Sequence, residues 1–175
     1  AEGQLTAAPA GIPIDQGVKI QSYKLPVTRS RKTQTTAAYL RDTIQRYYPK
    51  ANELRITSAY RAAEADGGNW SHHNGQKRNG SQTAAVDFAG RKGPGYPREM
   101  RDFAKWLYTE IPGHLTELIH TTPYDTDNGF YIKNGKKGDT YGSATKEAHR
   151  NHVHVAASWA DIAKARGVLA KKYPN

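Results

Sequence analysis

The 175-residue chain contains no cysteine. This absence excludes disulfide bonds, thiolate metal sites and cysteine nucleophiles, so any metal ion must be held by histidine or carboxylate side chains. Long apolar runs are also missing, because hydrophobic residues make up only 37% of the chain. No stretch approaches the ~18 consecutive apolar residues that a membrane span requires. The composition therefore predicts one soluble domain that does not span a membrane.

The chain also lacks a starting methionine and an N-terminal signal segment with a charged part followed by an apolar part. We therefore expect a processed form or a domain of a longer protein. Negative charge is scarce as well, since 16 acidic residues stand against 26 Lys and Arg residues and give a formal net charge of +10. A positive field favours nucleic acid, an anionic membrane surface or an anionic cell-wall polymer as partner. The alternative is a basic protein that has no polyanionic partner.

Hydrophobic periodicity predicts a small α+β domain over residues 31–175, preceded by an extended arm or linker over residues 1–30. The predicted helices cover Thr35–Tyr48, a segment that opens at Pro97, and a terminal segment capped by Ser158. The predicted strands are Leu54–Ser58, Ala84–Ala89, Leu115–His120 and His152–Ala156. Gly67–Ser81 and Thr121–Ala148 show neither period and are predicted to be long loops. We expect a small antiparallel sheet with helices packed on one side and long loops around a site.

The sequence Asn151-His152-Val153-His154-Val155 gives the clearest local signal for chemistry. Alternate residues of a strand point to the same face, so His152 and His154 would lie ~7 Å apart while the two valines enter the core. One imidazole could bind a metal while its neighbour reaches the substrate. The alternative is a pair of ordinary polar residues on a solvent-facing strand.

Asp87 lies inside the apolar segment Ala84–Ala89. A carboxylate in such a strand is costly unless it is paired or bound to a metal, and a buried ion pair with an arginine is the alternative. Ser71-His72-His73 would supply a further imidazole, although a pair of surface histidines is the alternative there. One of these two histidines, Asp87 and a histidine of the later pair would form a nitrogen and oxygen ligand set that suits zinc and leaves a fourth position for water.

Four segments together resemble the LAS-type (M15-like) zinc peptidases. This group includes D-alanyl-D-alanine carboxypeptidases, the peptidoglycan peptidases of phage endolysins, and lysostaphin-like enzymes. The resemblance spans roughly Arg55 to Ala156 and is closest to the phage endolysin type. Its segments are Ile56-Thr57-Ser58-Ala59-Tyr60-Arg61, Ser71-His72-His73, Ala85-Val86-Asp87 and His152-Val153-His154.

The resemblance implies a zinc ion held by His73, Asp87 and His154. It implies that His152 and His120 are active-site histidines, with one of them handling the proton. Arg61 would hold the substrate or its oxyanion, although an ion pair with Glu64 or Asp66 is the alternative.

The chain departs from the family pattern in three places. His73 and Asp87 are 14 positions apart, twice the family spacing, so we expect residues 74–81 to loop out as an insertion. Thr83 replaces the glycine of the family pattern, and no E-x-x-H motif accompanies the third ligand. His72 therefore stays an alternative ligand, and Glu147 an alternative base that the motif does not assign.

We expect a monomeric zinc metallopeptidase that hydrolyses an amide bond in peptidoglycan stem or cross-bridge peptides. It would act at the bacterial cell wall as a phage-encoded or secreted hydrolase, with no specific nucleic-acid partner. Two other functions fit parts of the sequence. A metal-dependent nuclease would suit the basic charge, but the paired carboxylates of a two-metal site are missing. A non-catalytic wall-binding module could have the same fold.

Overall fold

The computed structural model describes residues 29–61, 71–75, 77–78, 81–93, 96–122, 129–138 and 140–174. These residues form four α-helices, which are α1 (Arg29–Tyr47), α2 (Arg98–Glu110), α3 (Ser143–Ala148) and α4 (Trp159–Lys172). They also form seven strands, which are β1 (Leu54–Ser58), β2 (Lys77–Arg78), β3 (Ser81–Gly90), β4 (Glu117–Thr121), β5 (Gly129–Lys133), β6 (Lys136–Lys137) and β7 (Val153–Ser158). Residues 1–28 of the predicted arm lie outside the described residues, whereas its last two residues, Arg29 and Ser30, begin α1.

The strands form one antiparallel sheet in the order β1-β3-β7-β4-β5-β6, and the short strand β2 pairs with the start of β3. This arrangement confirms the predicted α+β class with a small antiparallel sheet. β3 is the longest strand and lies between β1 and β7, so both of its neighbours can position side chains around its midpoint.

The core lies between one face of the sheet and the helices. Alternate residues of the two central strands are fully or almost fully buried in it, namely Ala84, Val86, Phe88, Val153, Val155 and Ala157. The helices contribute apolar residues spaced three or four apart, such as Leu40 and Ile44 of α1 and Phe103 and Leu107 of α2. Because alternate side chains of a strand point in opposite directions, the remaining residues of β3 and β7 face away from these helices.

The structure confirms the strand predictions at Leu54–Ser58 and Ala84–Ala89, the latter lying within the longer β3. The Ser158 cap is also confirmed, since its Oγ accepts a hydrogen bond of 3.2 Å from the backbone N–H of Asp161. The predicted structureless loop from Thr121 to Ala148 is wrong, because it contains β5, β6 and α3. The turn at Asn134-Gly135 joins β5 to β6, and both residues have positive φ.

The expected insertion between His73 and Asp87 does not simply loop out, because it contains part of a hairpin. Lys77 and Arg78 pair with Gln82 and Ser81, so β2 folds back onto the start of β3. Gly75, with φ of 87°, ends the turn that precedes it. None of the described helices has the length and apolar character that a membrane crossing requires.

Candidate metal centre

Three side chains meet on the face of the sheet opposite the main helices. Asp87 lies in β3 directly beside His154 of β7, since the two residues are partners in the antiparallel ladder. His73 approaches from the 3-10 turn His72–Asn74, which precedes β2. One potential ligand atom of each residue lies within 4.8 Å of the other two, and all three side chains are buried. This group could hold a metal ion.

The turn that carries His73 is fixed by local hydrogen bonds. The backbone N–H of Ser71 donates to Asn74 Oδ1 at 2.7 Å, and the Asn74 amide donates to Ser71 Oγ at 3.3 Å. The His73 ring has its Nδ1 2.7 Å from the carbonyl oxygen of Ala59, an arrangement in which Nδ1–H donates. The other nitrogen, Nε2, lies 3.3 Å from Asp87 Oδ1, so it donates to this carboxylate when it is protonated and offers its lone pair to a metal ion when it is not.

The His154 ring lies between two carboxylates. Its Nδ1 is 3.0 Å from Asp87 Oδ1, and its Nε2 is 2.7 Å from Glu117 Oε1. If Nε2–H donates to Glu117, Nδ1 is left to bind a metal beside Asp87. Metal-binding histidines commonly donate their second N–H to a carboxylate or a carbonyl oxygen, and His73 and His154 both have such a partner. The donor set and its surroundings therefore fit a metal ion.

Glu117 was not predicted from the sequence, yet it connects several residues of the site. Its Oε2 lies 3.6 Å from His72 Nε2 and accepts a hydrogen bond of 3.3 Å from the Tyr141 hydroxyl. Burial alone would raise the pKa of Glu117, but the neighbouring His154 and His72 and the Tyr141 hydroxyl hold this pKa below its usual range. Glu117 is the first residue of β4. It lies two residues before Ile119, the ladder partner of His154, so the Glu117 side chain points to the same face of the sheet as Ile119.

His72, the alternative ligand, points away from the three-residue group. Its Nδ1 contacts the Thr83 hydroxyl and its Nε2 faces Glu117. Neighbouring residues of a tight turn project in different directions, so only His73 reaches Asp87. Thr83, which replaces the glycine of the family pattern, is the hydroxyl partner of His72 and is itself buried.

Asp87 and His154 form a charged pair in the metal-free site. Burial alone would raise the pKa of Asp87, but hydrogen bonds from His154 and His73 hold this pKa well below its usual range. Burial likewise disfavours a charged His154, but hydrogen bonds to Asp87 and Glu117 outweigh it and raise the pKa of His154 to about 9. At neutral pH the metal-free protein therefore holds a proton on His154, and a metal ion must displace it.

His152 lies at the edge of the same site, with its Nε2 3.9 Å from Asp87 Oδ2. Its Nδ1 is 2.8 Å from the side-chain oxygen of Asn151, so Nδ1–H donates and the Nε2 lone pair is available. Burial lowers the pKa of His152 to about 4, against the attraction of Asp87. The ring is thus neutral at pH 7 and able to accept a proton.

His149, which the sequence left unassigned, is the second residue that prediction missed. Its ring centroid lies 4.6 Å from that of His152 and 5.7 Å from that of His154. Its Nδ1 is 2.6 Å from the carbonyl oxygen of Thr145, and burial lowers its pKa. Helix α3 ends directly before His149 and positions it, but the sequence of this segment gave no helical signal.

His120 lies on the opposite face of the sheet from the metal site. Ile119 is the ladder partner of His154, so the adjacent His120 points towards the helices. The side chain is fully buried, and its Nδ1 lies 3.2 and 3.0 Å from the carbonyl oxygens of His149 and His152. In this geometry His120 therefore does not face the three-residue group, and its expected role in proton transfer stays a prediction.

Arg61 and Glu147 differ in their relation to the site. The Arg61 Nη1 lies 4.0 Å from Asp87 Oδ2 and donates to Ser58 Oγ at 2.9 Å, so its charge lies beside the three-residue group. Glu147 is exposed on α3 and pairs with Arg150 at 2.7 Å. The structure therefore does not support Glu147 as the alternative base, because its carboxylate is engaged at the surface.

The described site combines two imidazoles and a carboxylate as potential metal ligands with two neutral histidines and an arginine at its rim. No family model matches this chain, and no curated protein or solved structure is significantly similar to it.

Proposed function

We propose that the protein is a zinc-dependent peptidase that hydrolyses an amide bond in peptidoglycan stem or cross-bridge peptides. The observation that carries this proposal is the buried group of His73, Asp87 and His154 with the neutral imidazole of His152 beside it. A structural zinc site closes its coordination with four protein ligands, whereas this group offers three and lies next to titratable side chains.

Zinc bound by the three residues would lower the pKa of a water molecule and polarise the scissile carbonyl. His152 is suited to act as general base, because its Nε2 lone pair lies beside Asp87 and its ring is neutral at working pH. Arg61 supplies a fixed positive charge next to Asp87, where it can hold a substrate carbonyl oxygen as negative charge develops. His149 packs against His152 with ring centroids 4.6 Å apart, so a second imidazole lies beside the proposed base.

Two features support peptidoglycan as the substrate. The motif segments around His73, Asp87 and His154 resemble those of peptidoglycan peptidases, and the net charge of +10 would concentrate the protein at an anionic cell wall. We propose that it acts there as a monomer, delivered by a phage or by secretion. Salt should weaken this attraction, since exposed charges are screened over ~10 Å at 0.1 M ionic strength.

Mass spectrometry of purified peptidoglycan incubated with the protein tests the proposal. The zinc-loaded protein should release peptide fragments with new amino and carboxyl ends, a chelator should stop their release, and added zinc should restore it. The exposed-residue variant Glu147→Gln should behave as the wild type. If the protein still releases fragments after its metal has been removed completely, the reaction does not depend on a metal and the proposal is contradicted. Zinc binding without any new ends would indicate a non-catalytic wall-binding module.

A further inference from the structure

A cavity of about 330 Å³ lies next to His152, and none of the three potential metal ligands lines it. It is bounded by the strand residues Arg55 and Thr57 of β1, by Ala89 and Gly90 at the end of β3, and by Asn151 and His152 before β7. Its volume is in the range of pockets that bind small ligands. His152 joins the cavity to the candidate metal site, because its Nε2 lies 3.9 Å from Asp87.

Arg55 supplies the positive charge of this cavity. It is the ladder partner of Ala89, which lies two residues after Asp87 and therefore on the same face of the sheet. The Arg55 side chain is exposed, and within the described part of the chain it makes no hydrogen bond or ion pair. Nearby Arg91 differs, since its guanidinium donates to the carbonyl oxygens of Asn52 and Leu54. Arg55 is thus the cation that the cavity can offer to a ligand.

The cavity is lined by small and polar residues and by Met100. Glycine at position 90 leaves room for the buried Glu99 carboxylate, with which a side chain there would collide. That carboxylate accepts a hydrogen bond of 3.4 Å from the backbone N–H of Lys92. Thr57 and Asn151 add hydrogen-bonding groups near Arg55. A small group with negative charge fits this combination better than a bulky apolar side chain.

We propose that this cavity is a substrate subsite that binds a free carboxylate of the peptide, held by Arg55, on the His152 side of the scissile bond. The inference rests on the proposed peptidase function and specifies its substrate as a peptide with a carboxylate close to the bond that is cleaved. The guanidinium fork can bind both oxygens of a carboxylate, which gives orientation as well as attraction. A peptide whose carboxylates are amidated would lose this contact.

Direct binding to the metal-free protein tests the subsite separately from catalysis. The probes are a synthetic peptidoglycan stem peptide with free carboxylates and the same peptide with every carboxylate converted to a carboxamide, each titrated by calorimetry. We expect wild-type protein to prefer the carboxylate peptide by about tenfold, as one charge-assisted hydrogen-bonded pair provides. Arg55→Gln should abolish this preference and Arg55→Lys should retain part of it.

Arg41→Gln is the matched control, since it removes one positive charge from an exposed position on α1 where Arg41 pairs with Asp42. It should keep the preference, whereas a general effect of net charge would reduce it equally in both variants. An unchanged preference in Arg55→Gln would overturn the subsite, even if zinc-loaded wild type cleaves the peptide. If the preference depends on Arg55 but zinc-loaded protein cleaves neither peptide, the subsite stands and the peptidase proposal fails.

Discussion

Replacing Glu117 with glutamine tests whether the hydrogen bond between Glu117 and His154 Nε2 raises the affinity of the site for a metal ion. Glu117 accepts a hydrogen bond from His154 Nε2 at 2.7 Å, and its side chain is only 18% exposed, so solvent screens the contact weakly. Glutamine keeps the size and one acceptor oxygen but removes the charge. Changes at such outer positions typically reduce metal affinity ~10–100-fold, or ~1.4–2.7 kcal/mol, and weak screening predicts the upper part of this range.

The pH of the measurement matters, because Glu117 stabilises a protonated His154 as well as a metal-bound one. Below about 9, the pKa of His154, zinc must displace the His154 proton, and the glutamine variant would hold that proton less tightly. The difference in zinc affinity should therefore be largest at about pH 9 and should narrow towards pH 7. Competition with a chromophoric chelator at both pH values gives the two constants.

Glu147→Gln is the control, since Glu147 is an exposed glutamate paired only with Arg150 among the described residues. It should match the wild type at both pH values. Equal zinc affinities of wild type and Glu117→Gln at pH 9 would refute the assignment of Nε2–H to Glu117 and of Nδ1 to the metal.

Three further predictions concern the same site. Asp87→Ala should weaken zinc binding by more than the ~100-fold limit of an outer-position change, because it removes a ligand, and stoichiometric zinc in purified variant protein would contradict this. His152→Ala should retain zinc but lower kcat ~10²–10⁴-fold, and zinc loss measured by atomic absorption would show instead that His152 is a ligand. The metal-free protein should lose stability on the order of 3 kcal/mol in denaturant unfolding as pH rises from 6.5 to about 9, because the raised pKa of His154 stabilises the fold only while the ring is protonated. Zinc-saturated protein should show no such decline.

The sequence predicted the central strands because their signal is local. The nearly continuous apolar run Ala84–Ala89 predicts a buried strand, and the alternation around Val153 and Val155 predicts which side chains of the strand that contains them enter the core. The segment between Thr121 and Ala148 gave no such signal. Its strand β6 is two residues long and exposed, and its helix α3 has no buried residue, so neither carries an apolar period.

The site residues likewise fall into those that a local sequence signal identifies and those that it does not. Asp87 was identifiable because a carboxylate is costly inside an apolar strand unless it is paired or bound to a metal. His154 was identifiable because two histidines flank a valine in a segment with a strand pattern. Glu117 and His149 gave no comparable signal, because each is a polar residue at the end of an element. The ladder between β4 and β7 brings Glu117 to His154, and the end of α3 turns His149 towards His154. The face of the sheet on which His120 lies was equally unpredictable, since it depends on the register that pairs Ile119 with His154.

The sequence by itself determined the chemistry that is available: no thiolates, an excess of positive charge, and histidines and an aspartate in segments of strong strand character. It also determined that Val153 and Val155 enter the core, because alternate side chains of a strand point to the same face. The tertiary structure decided which histidines meet Asp87, which nitrogen of each ring faces it, and which carboxylate lies behind His154. These outcomes depend on register and on contacts between residues far apart in the chain, such as Asp87 with His154 and Glu117 with His72, and no local pattern encodes them.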